Sequence, residues 1–246
     1  MNTDKFLELE KDKVTVIIPC RSGSERVKNK NTRPFAGFGN GLVELKLRQL
    51  VSVTEIDEII ISSNDPVVLD FARRYAQDCD SRVEAIERPN ELGASYTPMS
   101  AFIRYMSKLR DSGTMLMLHV THPFLGPKEI TGVINSYRDA QNKGYDSLAT
   151  VTRLQKFIWN NDGPYNYDNT KEKWPRSQDL EPLFEINHAA YMIPFELMRE
   201  VDDRIGRKVF LCELQQAVTM DIDWEEEFHL LEEMALARQH KGVSLI

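Results

Sequence analysis

The run Val14–Pro19, VTVIIP, sets the first constraint on the fold. Its apolar, mostly β-branched residues follow one another without polar alternation, which predicts a strand buried on both faces. Strands of that kind belong to parallel sheets covered by helices. Glu58–Ser62 (EIIIS), Thr114–Val120 (TMLMLHV) and Ser147–Val151 repeat the signal, and Val83–Ile86 predicts a shorter strand. Between these runs the spacing becomes helical. Gly41–Val53 places Leu42, Leu45, Leu47 and Leu50 near one face, and Pro66–Asp78 does the same with Val67, Val68, Phe71, Ala72 and Tyr75. Pro98–Arg110 and Pro127–Asn142 predict two further helices, and Ala189–Ile193 and Trp224–Gln239 a late strand and a late amphipathic helix. Strand and helix in alternation require crossover connections, so the expected class is α/β, a mainly parallel sheet with helices on both faces. The 246 residues are read as one domain, 1–246.

In such a sheet, ligands sit at the carboxyl ends of the strands. The segment after VTVIIP is CRSGSERVKNKN, in which Gly23 permits close backbone approach, Ser22 and Ser24 offer hydroxyls, and Arg21, Arg26, Lys28 and Lys30 offer charge-assisted donors. The chain carries 31 Lys+Arg against 38 Asp+Glu, a net charge of -7, so a cationic turn is an exception that calls for an anion. The same acidic balance argues against a nucleic-acid polymer as partner. Neither GxxxxGK[ST] nor GxGxxG is present, so the turn is neither of those phosphate-binding loops. A second constellation, Met220-Asp221-Ile222-Asp223-Trp224, sets two carboxylates at i and i+2 on one side of an extended segment, a donor set that suits Mg²⁺ beside phosphate. The alternative for Asp223 is a helix cap ahead of Glu225, Glu226 and Glu227. Three widely spaced cysteines, Cys20, Cys79 and Cys212, fit a reducing cytoplasm. The charged opening MNTDKFLELEKDK reads as neither a signal peptide nor a membrane span.

These residues resemble a known family. IIPCRSGSERVKNKN is similar to the N-terminal signature of the cytidylyltransferases that activate nine-carbon 2-keto sugar acids, the CMP-sialic acid synthetases and their pseudaminate and legionaminate relatives. Arg21, Gly23, Ser24, Lys30 and Asn31 match that signature. Ser62-Ser63-Asn64-Asp65, Arg88-Pro89-Asn90-Glu91-Leu92, Arg176-Ser177-Gln178-Asp179, Asn187-His188-Ala189-Ala190-Tyr191 and Asp221-Ile222-Asp223 resemble later landmarks, in the family's order. The resemblance implies a Rossmann-like nucleotidyltransferase fold and CTP as nucleotide. Arg21, Gly23, Ser24, Lys30, Asn31, Ser62, Asn64 and Arg88 would bind it, and Arg21, Lys30 and Asp221 would be the catalytic set. Mg²⁺ would sit on Asp221 and Asp223, and the acceptor sugar beside His119, Thr121, His122, Gln178 and Asn187. The related eight-carbon sugar-acid synthetases, and a catalytically silent nucleotide-binding homologue, are the alternatives.

Several positions depart from the family pattern. LHVTHPFL has His119, His122 and Leu125 where Gln, Ser and Arg are usual, Glu25 replaces a residue that is often basic, and His188 replaces a glycine. The turn Gly93–Thr97 also lacks the usual aspartate. Such changes reshape the acceptor side rather than the chemistry. Finally, Phe157–Glu185 breaks the alternation with Asn, Asp, Pro, Tyr and Trp. Residues 155–186 are therefore expected to form an extended arm. By resemblance the arm makes a homodimer contact and carries Arg176 toward the neighbouring site.

Overall fold

The computed structural model describes residues 13–94 and 96–246. The charged opening segment 1–12, and Ser95 in the turn after Leu92, lie outside the described residues. Strands β1 (Val14–Cys20), β2 (Glu58–Ser63), β3 (Val83–Glu87), β4 (Thr114–Leu118), β5 (Ser147–Leu154), β8 (Leu183–Pro194) and β9 (Val209–Glu213) form one sheet in the order β3-β2-β1-β4-β8-β5-β9. β6 (Trp159–Asn160) and β7 (Gly163–Pro164) form a separate two-residue ladder. The helices are α1 (Gly41–Val51), α2 (Pro66–Asp78), α3 (Met99–Met106), α4 (Pro127–Gln141), α5 (Phe195–Val201) and α6 (Glu225–His240).

β1 pairs in parallel with β2 on one side and β4 on the other, and β2 with β3. β8 alone of the seven runs against its neighbours, β4 and β5, while β5 and β9 are parallel. Because the order runs outward from β1 in both directions, the crevice between the ends of β1 and β4 is the topological switch point.

The apolar run of β1 does what its sequence requires. Val16, Ile18 and Cys20 pack in a core layer with residues of α1, α2, α4 and α6. Ile17 faces the other layer, with Phe102, Ile103 and Met106 of α3 and Phe195 and Met198 of α5. Ile17 and Ile18 are both fully buried, and leaving water stabilises the fold by about 1.5–3 kcal/mol for each side chain. One expected core residue sits outside: Val67, at the start of α2, is 59% exposed while Val68 is buried.

Two differences from the sequence reading have physical causes. β4 stops at Leu118 because the chain turns there, the loop being fixed from beneath by α1. Lys46 Nζ donates to the carbonyls of His122 (3.1 Å) and Leu125 (2.9 Å), and Gln49 Nε2 to those of Pro123 (2.9 Å) and Leu245 (2.8 Å). β8 begins six residues before Ala189, since its first half leaves the core as a largely exposed ribbon beside β5, with Phe184 and Ile186 interleaved with Glu185 and Asn187. β9 and α5 are short elements that the sequence reading passed over. The arm region after β5 is irregular apart from the β6/β7 ladder and a 3₁₀ turn at Ser177–Asp179. Asn166 pins it, donating to the Lys156 and Glu181 carbonyls and accepting from the Ile158 amide.

Lys46 gives a pH signature to this scaffold. Burial pushes its ammonium down to about 7, against 10.5 for an ordinary lysine. Between those values the unfolded chain holds the extra proton, so this group makes stability rise from about pH 7 upward and fall as pH drops back toward 7. Thermal unfolding at pH 7 and pH 9 should show a higher Tm at pH 9 in the wild type and a clearly smaller gain in Lys46→Met; equal gains would remove Lys46 from this role.

Candidate active site

The carboxyl ends of β1 and β4 open into a cleft of about 560 Å³. Of the residues picked from sequence, Arg21, Ser24, Lys30, Asn31, Arg88, His119, Thr121, Asp221 and Asp223 line it. Gly23 is at the turn's tip with φ +68°, a left-handed conformation that a side chain would oppose. The turn is braced from within: Asn31 Nδ2 donates to the Arg21 carbonyl (3.2 Å), and Asn64 Oδ1 accepts from the Ser22 amide (3.0 Å). Asn64 thus shapes the turn without lining the cleft. A Cβ on Gly93 would come within 2.5 Å of the Asn64 amide, so glycine there protects the same brace.

The two aspartates arrive on an extended segment laid beside Thr121. Ile222 donates its amide to the Thr121 carbonyl (3.0 Å) and buries its side chain completely, which turns Asp221 and Asp223 to the cleft. Lys30 Nζ reaches the Ile222 carbonyl (2.7 Å) and lies 3.5 Å from Asp223 Oδ1, joining the cationic turn to the acidic segment. Arg26 also pairs with Asp223, at 2.9 Å. The cap belongs elsewhere: Glu227 Oε2 accepts from the Asp223 and Trp224 amides, leaving both aspartate side chains for the cleft. Asp221 Oδ1 is buried and unpartnered, 4.0 Å from an equally unpartnered His122 Nδ1. An orphaned carboxylate oxygen beside a cleft is a donor a divalent cation can use. No group of three or more metal-ligating side chains occurs among the described residues, so phosphate oxygens would have to complete any coordination shell.

Arg88 is a second unsatisfied group. It is 4% exposed, its Nε and Nη2 have no partner, and its guanidinium lies over Phe102 at 4.9 Å. Burial lowers its pKa, the nearby Cys20 pulling the other way. A buried cation without a counter-ion is costly, and an anion in the cleft would relieve that. The Ser62 hydroxyl is likewise buried without a partner.

Other expected residues fall away from the cleft wall. His122 lies beneath it, fully buried, its Nε2 3.2 Å from the Asn187 carbonyl. Asn187 fastens the irregularity where β8 and β5 change register, accepting from Thr150 Oγ1 (2.7 Å) and the Ala189 amide (3.1 Å) and donating to Thr152 Oγ1 (3.2 Å). Gln178 and Arg176 are exposed in the arm, Arg176 gripping Asp179 in a fork at 2.7 and 3.0 Å. Burial first, and the neighbouring ring of His122 second, push His119 down to about 3, and burial with Lys46 does the same for His122. Both imidazoles are therefore neutral at physiological pH.

Two cleft residues escaped the site assignment. His188 stands at φ +58°, where glycine is the unstrained choice, at a cost of about 1–3 kcal/mol. Arg204 follows α5 and stacks on Tyr191 at 4.2 Å. No local pattern marks Arg204, which joins the site only through the path of the chain.

The family model for cytidylyltransferases matches residues 15–241. The chain belongs to the cytidylyltransferase family. It is thereby a CTP-dependent nucleotidyltransferase. Among curated relatives, it is 24% identical over 186 residues to the pseudaminic acid cytidylyltransferase of Campylobacter jejuni, covering 71% of this chain and 75% of that one. It is 22% identical over 242 residues to the N-acylneuraminate cytidylyltransferase of Streptococcus agalactiae, covering 92% of this chain and 55% of that one. Its fold matches the CTP-complexed CMP:2-keto-3-deoxy-manno-octonic acid synthetase with a TM-score of 0.63 at 13% identity, over 93% of this chain and 99% of that one. The mainly parallel sheet and the cytidylyltransferase family both agree with the sequence reading.

Lys30 ties the turn to the aspartates, so Lys30→Ala should weaken CTP binding by about tenfold or more, the loss of one charge-assisted contact. Calorimetric titration of CTP checks it; an unchanged affinity would take Lys30 out of the phosphate site.

Proposed function

We propose that the chain transfers the cytidylyl group of CTP to the anomeric hydroxyl of a nine-carbon 2-keto sugar acid, releasing pyrophosphate. The observation that carries this reading is the convergence of the cationic β1 turn and the Asp221/Asp223 segment on one cleft, joined through Lys30. The curated relatives named for pseudaminic and N-acylneuraminic acids support the nine-carbon acceptor. The fold match to the octonic acid synthetase keeps the eight-carbon acid as the competing acceptor.

The chemistry forms a bond from the anomeric oxygen to the α-phosphorus and breaks the bond to pyrophosphate. In such a transfer positioning and charge neutralisation dominate, and no covalent nucleophile is needed. Arg21, Lys30 and the amides around Gly23 hold the triphosphate. Arg88 offers its unpaired guanidinium to an anion, and His119, held neutral by burial, can hydrogen-bond an acceptor hydroxyl without adding charge. Mg²⁺ is the cation for which Asp221 and Asp223 are suited, and when bound it would neutralise phosphate charge. Exposed ion pairs of the Arg26–Asp223 kind are worth only about 0–1 kcal/mol, so rearrangement around a metal and triphosphate carries little penalty.

Pyrophosphate release, measured with CTP, Mg²⁺ and a panel of N-acylneuraminic, pseudaminic, legionaminic and 2-keto-3-deoxy-manno-octonic acids, should show kcat/KM for one nine-carbon acid at least about tenfold above the octonic acid. The reverse order would move the assignment to the eight-carbon acceptor. No release with any acid while CTP still binds would favour the silent homologue. Asp221→Ala should lower turnover by about 10²–10³-fold or more at unchanged Tm. Activity retained in that variant would sink the metal assignment.

The arm belongs to the same proposal, as the contact of a homodimer. Trp159 and Trp174 are 54% and 67% exposed, stacked with ring centroids 6.4 Å apart and flanked by Phe157 and Tyr167, an aromatic cluster with one side open to solvent. Trp159→Ser with Trp174→Ser should convert a dimer to a monomer in sedimentation velocity without changing the far-UV spectrum. A wild-type monomer, or an unaffected dimer, would refute this role for the arm.

A further inference from the structure

We infer that Arg204 is the seat of the acceptor's carboxylate, a role that rests on the sugar-acid reading above. In a 2-keto sugar acid the carboxylate hangs on the same carbon as the attacking hydroxyl. The enzyme must therefore place an anion in the reaction cleft that is not part of the triphosphate. It needs a cation that the triphosphate cradle does not supply.

Arg204 meets that need by position and by pairing. It reaches the cleft from the segment after α5, stacked on Tyr191 of β8 and with Nη1 3.8 Å from Met117 Sδ of β4. Arg26 and Lys30, by contrast, come from the β1 turn and lie against Asp223. Among the described residues no carboxylate lies within 4.0 Å of the Arg204 guanidinium.

Its hydrogen bonding is incomplete in a specific way. Nη2 lies 3.3 Å from His188 Nδ1, and the Tyr191 hydroxyl lies 2.6 Å from the same nitrogen. A guanidinium only donates, so Nδ1 must carry the lone pair and Tyr191 must donate to it as well. One lone pair then serves two donors, and the longer contact is the weaker. A thioether sulfur is the other partner, itself a poor acceptor. The result is a planar fork, held in place by the aromatic stack, whose donors lack the bidentate acceptor they fit best. His188 contributes the positioning from a backbone conformation that favours glycine, and its tautomer leaves Nε2–H to donate.

Steady-state kinetics of the full chain test the assignment, using CTP and the panel acid with the highest kcat/KM. Arg204→Ala should raise KM for the acid by about tenfold or more while KM for CTP stays within about twofold. Arg204→Lys should recover only part of the loss, because an ammonium cannot form the fork. The C1 methyl ester of the acid should be a poor substrate for wild type, and this discrimination should shrink in Arg204→Ala. An unchanged KM for the acid, or a raised KM for CTP alone, would overturn the proposal, the latter assigning Arg204 to a phosphate. If wild type turns over none of the acids, the sugar-acid reading itself fails. Saturation-transfer NMR with N-acetylneuraminic acid then decides separately: binding lost in Arg204→Ala supports the seat, and no binding to wild type overturns it.

Discussion

The site depends on the double burial of β1. Alternate residues of this strand enter opposite core layers, and both its edges are occupied by parallel neighbours, so its carboxyl end has almost no freedom. A turn leaving such a strand inherits that rigidity. The highly charged segment from Arg21 to Asn31, braced by Asn31 and Asn64, can therefore present donors in a fixed direction, as preorganised phosphate recognition requires. The neighbouring β4 turn is held by a different device, buried hydrogen bonds from Lys46 and Gln49, which fix four backbone positions between α1 and its surroundings.

Electrostatics then divide the labour within the cleft. An acidic protein gathers Arg21, Arg26, Lys30, Arg88 and Arg204 around one cavity and sets Asp221 and Asp223 among them. Some of these charges neutralise one another at the surface, where such pairs are weak and exchangeable. Others, Arg88 and Arg204, are left with poor partners or none. The first kind can rearrange when an anion enters, and the second favours its entry.

Much of this was legible beforehand, for reasons that differ by residue. The β1 turn could be read because its strand, its glycine and its cations are contiguous. The Asp221/Asp223 pair could be read because i, i+2 alternation survives any tertiary context, and Ile222 buried between them is that alternation realised. His122 and Asn187 were harder. Both are polar residues near strand ends, and only the packing shows His122 beneath the cleft wall and Asn187 fastening the β5/β8 register change. The extended start of β8 was hidden because an exposed ribbon carries no continuous apolar run.

The resemblance of the chain's ordered motifs pointed to the family, and what the sequence by itself determined was the class of sheet and the place of the cationic turn and the carboxylate pair. Each is written in contiguous residues or in a period of two, which local physics reads without reference to the rest of the chain. The tertiary structure alone decided that Arg204 and His188 meet over Tyr191 beside that turn. Their meeting depends on the antiparallel insertion of β8 and the loop after α5, long-range pairings that no local spacing encodes.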